Sequence, residues 1–311
     1  MTNQPIRVLF FGTSSFAIPI LETLVKDPRF LVTHVVTQPD KPSGRHGTLT
    51  KPPIKETAEK LGLAVLQFES VKTDEAFDAL RTLTIDVSVV ASFGQIIPDR
   101  ILSIASHGAV NVHASILPTY RGASPIAAVI AHGEKETGIT IMKMDAKMDH
   151  GPVLEIKKEP IASDDTSETL GKRLAELGAH TLPDVLIAYV AGSLAPVEQD
   201  HTKATFVKLL TREDGKLDWT KTAKGIEHLV RAYNPWPGTY AMFEEKRLKI
   251  LRAQIGPETK LEPGTPFVHE GQPAIACAEG TTLVLTTVQP EGKNAMAGKA
   301  FLVGHKEWLE K

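Results

Sequence analysis

The chain is poor in cysteine, in long apolar runs and in charge of one sign, and each shortage excludes something. Cys277 is the single cysteine among 311 residues, so intrachain disulfides, thiolate zinc sites and iron–sulfur clusters are ruled out. No stretch approaches the roughly 18 consecutive apolar residues of a membrane span. Met1-Thr2-Asn3-Gln4-Pro5 lacks the basic and then apolar segments of a secretory signal and leads straight into a strand. The expectation is a cytoplasmic protein with no membrane partner. Thirty-five Lys and Arg stand against 37 Asp and Glu, a net charge of −2, which argues against non-specific coating of nucleic acid. Residues 208–311 hold 15 basic and 13 acidic side chains, a weak positive bias in the tail.

A dinucleotide fingerprint is missing as well. Gly12-Thr13-Ser14-Ser15 is not G-x-G-x-x-G, and Gln38-Pro39 stands where an acidic residue would hold a ribose. Gly12 then serves a tight strand-to-helix turn. Among His107, His132 and His150 there is no H-E-x-x-H or comparable ligand spacing, and no metal is expected.

What is present is alternation. Ile6–Gly12, Leu31–Thr37, Ala64–Leu66, Ile85–Ala91 and Ala109–Val112 read as short buried strands. Helical patterns lie between them: from about Ser15 (apolar face Ile18, Leu21, Leu24, Val25), and over Lys55–Leu61, Asp74–Leu83 and Pro125–Ala131. This is an α/β arrangement, a Rossmann-like, mostly parallel sheet covered on both faces. A polar loop joins Asp40 to Pro52. Gly138–Met144 and Val153–Ile156 follow without a helix between them and extend the sheet. Thr166–Val190 is helical, with Ser167 as its cap and Pro183 kinking or dividing it. The expected division is a catalytic domain over 1–191, a linker over 192–206 and a C-terminal domain over 207–311. In the last, a helix over Thr222–Ala232 and the turn Asn234-Pro235-Trp236-Pro237-Gly238 precede five strands: Thr239–Phe243, Lys246–Ala253, Thr265–His269, Ala274–Ala276 and Thr281–Gln289. They suggest a small barrel, closed by a helix over Asn294–Leu302.

Chemistry is expected beyond the carboxyl ends of the parallel strands. Asn111 and His113, two apart on one strand, face the same side. Asn offers a fixed amide donor, and His can donate, accept or carry charge. The loop Ala114-Ser115-Ile116-Leu117-Pro118-Thr119-Tyr120-Arg121-Gly122 follows them. Asp145-Ala146-Lys147-Met148-Asp149-His150-Gly151-Pro152 brings two carboxylates into a turn. That turn is either a solvated surface feature or a device that aims one carboxylate at His113 and sets its protonation.

Three separated blocks carry a resemblance: Gly12 with Phe16; Asn111-x-His113-x-Ser115-x-Leu117-Pro118-x-x-Arg121-Gly122; and Asp149-x-Gly151. They resemble the formyltransferases that use 10-formyltetrahydrofolate. Thr37-Gln38-Pro39-Asp40-Lys41-Pro42-x-Gly44-Arg45, the Asn234–Gly238 turn and Gln289-Pro290-x-Gly292-Lys293-x-Ala295-Met296 are similar to the branch whose acceptor is methionyl initiator tRNA. With these, the resemblance spans essentially the whole chain. It implies that Asn111, His113 and Asp149 are catalytic. The folate, a cosubstrate consumed in the reaction, would lie against Phe93, Gly94, Gln95, Ile96 and Ile97, held largely by backbone groups. Ser115, Ile116, Leu117 and Pro118 would border its formyl-bearing part. It further implies that Lys41, Arg45 and Lys51 enter the tRNA acceptor stem, with Arg45 as the probing side chain. The tail becomes an OB-like barrel whose Lys208, Lys249 and Lys293 meet phosphate, in a chain acting as a monomer. An amino sugar nucleotide acceptor would need the same three catalytic residues, so only the Lys41–Lys51 loop and the basic tail favour tRNA. A folate- or RNA-binding protein without turnover would not call for all three.

Overall fold

The computed structural model describes residues 4–43, 47–243, 245–305 and 308. Along the chain run β1 (Ile6–Gly12), α1 (Ala17–Lys26), β2 (Phe30–Thr37), β3 (Lys41–Ser43), β4 (Thr48–Thr50), α2 (Pro53–Lys60), β5 (Ala64–Gln67), α3 (Asp74–Leu80), β6 (Val87–Ala91), α4 (Asp99–Leu102), β7 (Ala109–His113), β8 (Arg121–Gly122) and α5 (Pro125–Ala131). They continue with β9 (Glu136–Lys143), β10 (Val153–Pro160), α6 (Ser167–Val190), β11 (Phe206–Val207), α7 (Ala223–Ala232), β12 (Thr239–Phe243), β13 (Lys246–Ile255), β14 (Pro266–His269), β15 (Gln272–Ala276), β16 (Thr282–Pro290), β17 (Met296–Ala297) and α8 (Gly298–Val303).

By contacts the chain forms two compact units: 1–123 with 136–160 and 171–207, and 124–135 with 161–170 and 208–311. The first is built on a seven-stranded sheet of order β10-β9-β7-β6-β1-β2-β5. Strands β7, β6, β1, β2 and β5 are parallel, and β9 runs against both β7 and β10, the expected extension. In β1, Val8, Leu9, Phe10 and Phe11 are all buried, as a strand covered on both faces requires. Leu9 and Phe11 pack with Val36, Leu80, Val90, Phe93 and Ile101 on one face. Each such side chain contributes about 1.5–3 kcal/mol.

Several local expectations shift. The buried stripe of α1 is Ala17, Ile20, Leu21 and Leu24 rather than Ile18, Leu21, Leu24 and Val25, because the helix begins two residues later than Ser15. The polar loop contains a hairpin, β3 paired with β4, held by backbone bonds that leave no apolar alternation in the sequence. Helix α6 runs unbroken through Pro183, with Leu182, Val185 and Leu186 buried around it. Ser167 is its first residue and not its cap; its hydroxyl donates to the Ala232 carbonyl. The stretch 192–206 is laid along the first unit. Val197 bridges Val153, and β11 pairs in parallel with β8.

The second unit is an antiparallel sheet of order β12-β13-β16-β15-β14, with β17 on β16. Its ends, β12 and β14, are not paired with each other among the described residues. Thr222 caps α7, its hydroxyl accepting from Gly225 N at 3.3 Å. Ile226 and Val230 of α7 then join Leu248, Ile250, Leu283, Leu285 and Phe301 in the core. In the turn after α7, Asn234–Pro235 and Trp236–Pro237 are cis, and Trp236 is exposed.

Candidate active site

The chain passes from β5 back to β6 on the other side of β1, so the connections after β1 and β6 diverge. A switch of this kind opens a crevice beyond the carboxyl ends of the strands. The crevice is stitched across: Thr13 N donates to Ser92 O at 3.1 Å, Thr13 Oγ1 to Phe93 O at 2.7 Å, and Gln38 Nε2 to Phe93 O at 3.1 Å. Gly94 has φ +79°, and a Cβ there would lie 2.4 Å from Gln38 Nε2, so a side chain would be strained and would displace the Gln38 amide.

The segment Phe93–Ile97 divides by exposure. Phe93 and Ile97 are buried, Phe93 edge-on to Phe11 with centroids 5.3 Å apart. Gln95 is occupied by Val71 N at 2.9 Å and Phe68 O at 3.3 Å. Ile96 is 63% exposed. The main chain of Gly94–Ile97 has no hydrogen-bond partner among the described residues. An apolar side chain beside unused backbone donors and acceptors suits a flat heterocycle.

Asn111 and His113 lie on β7 between β6 and β9, and both are buried. The loop joining β9 to β10 folds back to bring Asp149 against them. Asn111 Nδ2 is 3.4 Å from Asp149 Oδ1, and His113 Nδ1 is 3.6 Å from the same oxygen. Asp149 Oδ2 accepts the Gly122 amide at 2.8 Å. His113 Nε2 is 3.0 Å from Tyr120 O. A carbonyl only accepts, so Nε2 carries the proton and Nδ1 faces the carboxylate. The turn at 145–152 thus brings Asp149, and not Asp145, against His113. Ser115 is buried, donating through Oγ to Thr119 O at 2.7 Å, while Thr140 Oγ1 accepts from Leu117 N at 3.1 Å; the Leu117–Pro118 bond is cis.

Behind this cluster, sequence reasoning missed Gln199 and gave Arg121 no role beyond its place in the motif. Gln199 Nε2 donates to Asp149 O at 3.0 Å and to Gly151 O at 2.7 Å, and Gln199 Oε1 accepts from Arg121 Nη2 at 2.6 Å. Asp145, the other carboxylate of the turn, accepts from or faces His150 Nδ1 at 2.7 Å, and the His150 ring stacks on His201 at 3.9 Å. A glutamine in a polar, turn-rich stretch carries no sequence signal of burial. Among the described residues no group of three His, Cys, Asp or Glu could hold a metal ion.

The basic residues differ in how far they are compensated. Lys41 Nζ donates to Gln38 Oε1 at 2.8 Å, and Lys51 pairs with Glu59 at 2.7 Å. Arg45 lies outside the described residues. At the base of the hairpin, the Lys55 ammonium, with Gln67, holds Asp40 below the usual carboxylate range. Lys208 pairs with Asp214 at 2.6 Å, and this contact, with Thr211, pulls Asp214 down to about 2. Lys249 is exposed, as is Lys293, and neither has an acidic partner among the described residues. Lys249 and Arg247 share the outer face of β13, with Arg247 4.0 Å over the Tyr240 ring.

Two family models match the chain: formyl transferase over residues 6–186, and formyl transferase, C-terminal domain, over 209–306. A methionyl-tRNA formyltransferase of Roseiflexus sp. is 44% identical, covering 94% of this chain and 90% of its own. One from Listeria innocua is 40% identical, covering 98% and 97%. Among solved structures, an N-formyltransferase from Helicobacter canadensis, complexed with folinic acid and dTDP-3-aminofucose, superposes with a TM-score of 0.67. It is 17% identical and covers 92% of this chain and 99% of its own, which shows a shared fold.

Proposed function

The chain belongs to the formyl transferase family, and from that premise we propose that it transfers the formyl group of 10-formyltetrahydrofolate to the free amino group of methionyl initiator tRNA. The observation that carries the acceptor is identity of 40–44% to methionyl-tRNA formyltransferases sustained across both parts of the chain. In the same reading the protein works as a monomer in the cytoplasm.

Formyl transfer requires an oxyanion to be stabilised, an amine to lose a proton and the departing nitrogen to gain one. The folate supplies an activated formyl group on N10. Asn111 has two amide protons. One faces Asp149, which leaves the other to donate to the formyl oxygen as negative charge gathers there. His113 is held by Tyr120 O through Nε2, so its Nδ1 and the Asp149 carboxylate face each other as two acceptors with space for a proton between them. That pair takes the proton from the attacking amine, directly or through water, and returns it to N10. The exposed Ile96 and the unpaired backbone of Gly94–Ile97 support a pterin site there, with Ser115–Pro118 bordering the formyl group. On the tRNA side, Lys41, Arg45 and Lys51 meet the acceptor stem, and Lys208, Lys249 and Lys293 meet phosphate. A guanidinium suits the stem because it reads phosphates and base edges bidentately.

The test offers the protein 10-formyltetrahydrofolate with methionyl initiator tRNA, and in parallel with a 4-amino-4-deoxyarabinose sugar nucleotide. Formylmethionine on the tRNA, with the sugar untouched, is expected. Formylation of the sugar alone, or of neither, overturns the reading.

A further inference from the structure

Asp149 alone among the three catalytic residues is not carried on a strand. It sits in the β9–β10 loop with φ +46°, a left-handed conformation that persists only where the surroundings enforce it. The turn is bonded from behind by Gln199. Its Nε2 places one N–H on the Asp149 carbonyl at 3.0 Å and one on the Gly151 carbonyl at 2.7 Å, gripping both ends of the turn.

The amide can face only one way. Gln199 Oε1 lies 2.6 Å from Arg121 Nη2, and a guanidinium only donates, so the oxygen faces Arg121 and the nitrogen faces the two carbonyls. Gln199 is 7% exposed and Arg121 3%. Among the described residues no carboxylate pairs with Arg121. Its Nη2 instead reaches His201 Nδ1 at 2.9 Å, and its guanidinium lies 5.9 Å from the Phe206 ring. A buried guanidinium without a carboxylate is a costly way merely to fill a core. Arg121 also lies between two residues of the catalytic arrangement: Tyr120, whose carbonyl holds His113, and Gly122, whose amide holds Asp149.

We propose that Gln199, oriented by Arg121, is a positioning residue for formyl transfer: it holds the Asp149–Gly151 turn so that the carboxylate stays against His113 and Asn111. The inference rests on the functional reading above, and its test separates the two. Gln199→Glu keeps the acceptor for Arg121 but turns the donor into an oxygen that repels both carbonyls. The expected result in the full-length protein is a kcat about 10–100-fold lower, with KM for folate and for tRNA within about twofold. The Gly122 backbone amide resonance also moves, because it reports the Asp149 carboxylate. A kcat within about twofold of the wild type, a loss expressed in KM, or an unmoved Gly122 resonance overturns the proposal. Should Gln199→Glu not fold, the side-chain amide protons of Gln199 in the wild type decide: slow exchange of both is expected, and exchange at the rate of a free amide overturns it. A wild type that formylates no tRNA fails the functional reading alone, and the Gly122 resonance then still judges the clamp.

Discussion

His113 Nδ1 lies 3.6 Å from Asp149 Oδ1, while the other oxygen of that carboxylate accepts the Gly122 amide at 2.8 Å. The anchor fixes the carboxylate, and the longer approach leaves room for proton movement. Asp149→Asn removes the charge with little change in shape. Its kcat should fall about 10²–10⁴-fold, with the melting temperature nearly unchanged. Steady-state kinetics beside a thermal melt check this, and a wild-type rate would remove Asp149 from the proton path.

The turn that carries the cluster tolerates no side chain at Gly122. Its φ is +114°, and a Cβ would lie 2.2 Å from the Val207 carbonyl across the β8–β11 pair. Gly192 has φ +72° with nothing within 4 Å of the added atom. Gly192→Ala should therefore cost only the backbone strain, about 1–2 kcal/mol. Gly122→Ala should cost clearly more, through strain and collision together. Denaturant unfolding of the two variants compares them, and equal losses would show that the β8–β11 pair yields freely.

Cys277 is buried, and burial pushes its thiol up to about 11. Near pH 8 the thiolate should be on the order of a thousandth of the population, and thiolate is the reactive form. Slow labelling by a thiol reagent is expected in the native protein, with prompt labelling after denaturation. Because the folded state holds this proton more tightly, the associated stability is present below the ordinary thiol range and is lost as pH rises toward 11.

Charge compensation ranks the tail lysines. Lys208 already has Asp214 at 2.6 Å, whereas Lys249 is exposed beside Arg247 with no acidic partner among the described residues. Lys249→Ala should weaken tRNA binding and lower the salt slope by about 1, and Lys208→Ala should do less of both. Binding titrations at several salt concentrations separate them; a larger effect at Lys208 would place the phosphate path elsewhere.

The parallel sheet and the placement of Asn111 and His113 were legible because a strand's period of two and its apolar runs are local properties. The residues alone left Asp145 and Asp149 as equal candidates, and only the family resemblance carried in part by Asp149-x-Gly151 singled out Asp149. Gln199 was invisible, since its burial depends on Val197 pairing with Val153 and on β11 pairing with β8, contacts far apart in sequence. The β3–β4 hairpin escaped for another reason. Its β4 strand, Thr48–Thr50, is exposed throughout, so no apolar rhythm marks it. Pro183 misled because a missing N–H argues locally for a break, whereas the buried Leu182, Val185 and Leu186 hold the helix continuous.

The most direct test of the account is the single-turnover rate of formyl transfer from 10-formyltetrahydrofolate to methionyl initiator tRNA, wild type against Asn111→Ala. Asn111 is assigned the oxyanion, so product should form in the wild type and the variant's rate should fall about 10²–10³-fold with the fold intact. A wild type that forms no formylmethionyl-tRNA, or an Asn111→Ala protein that transfers at the wild-type rate, would contradict it.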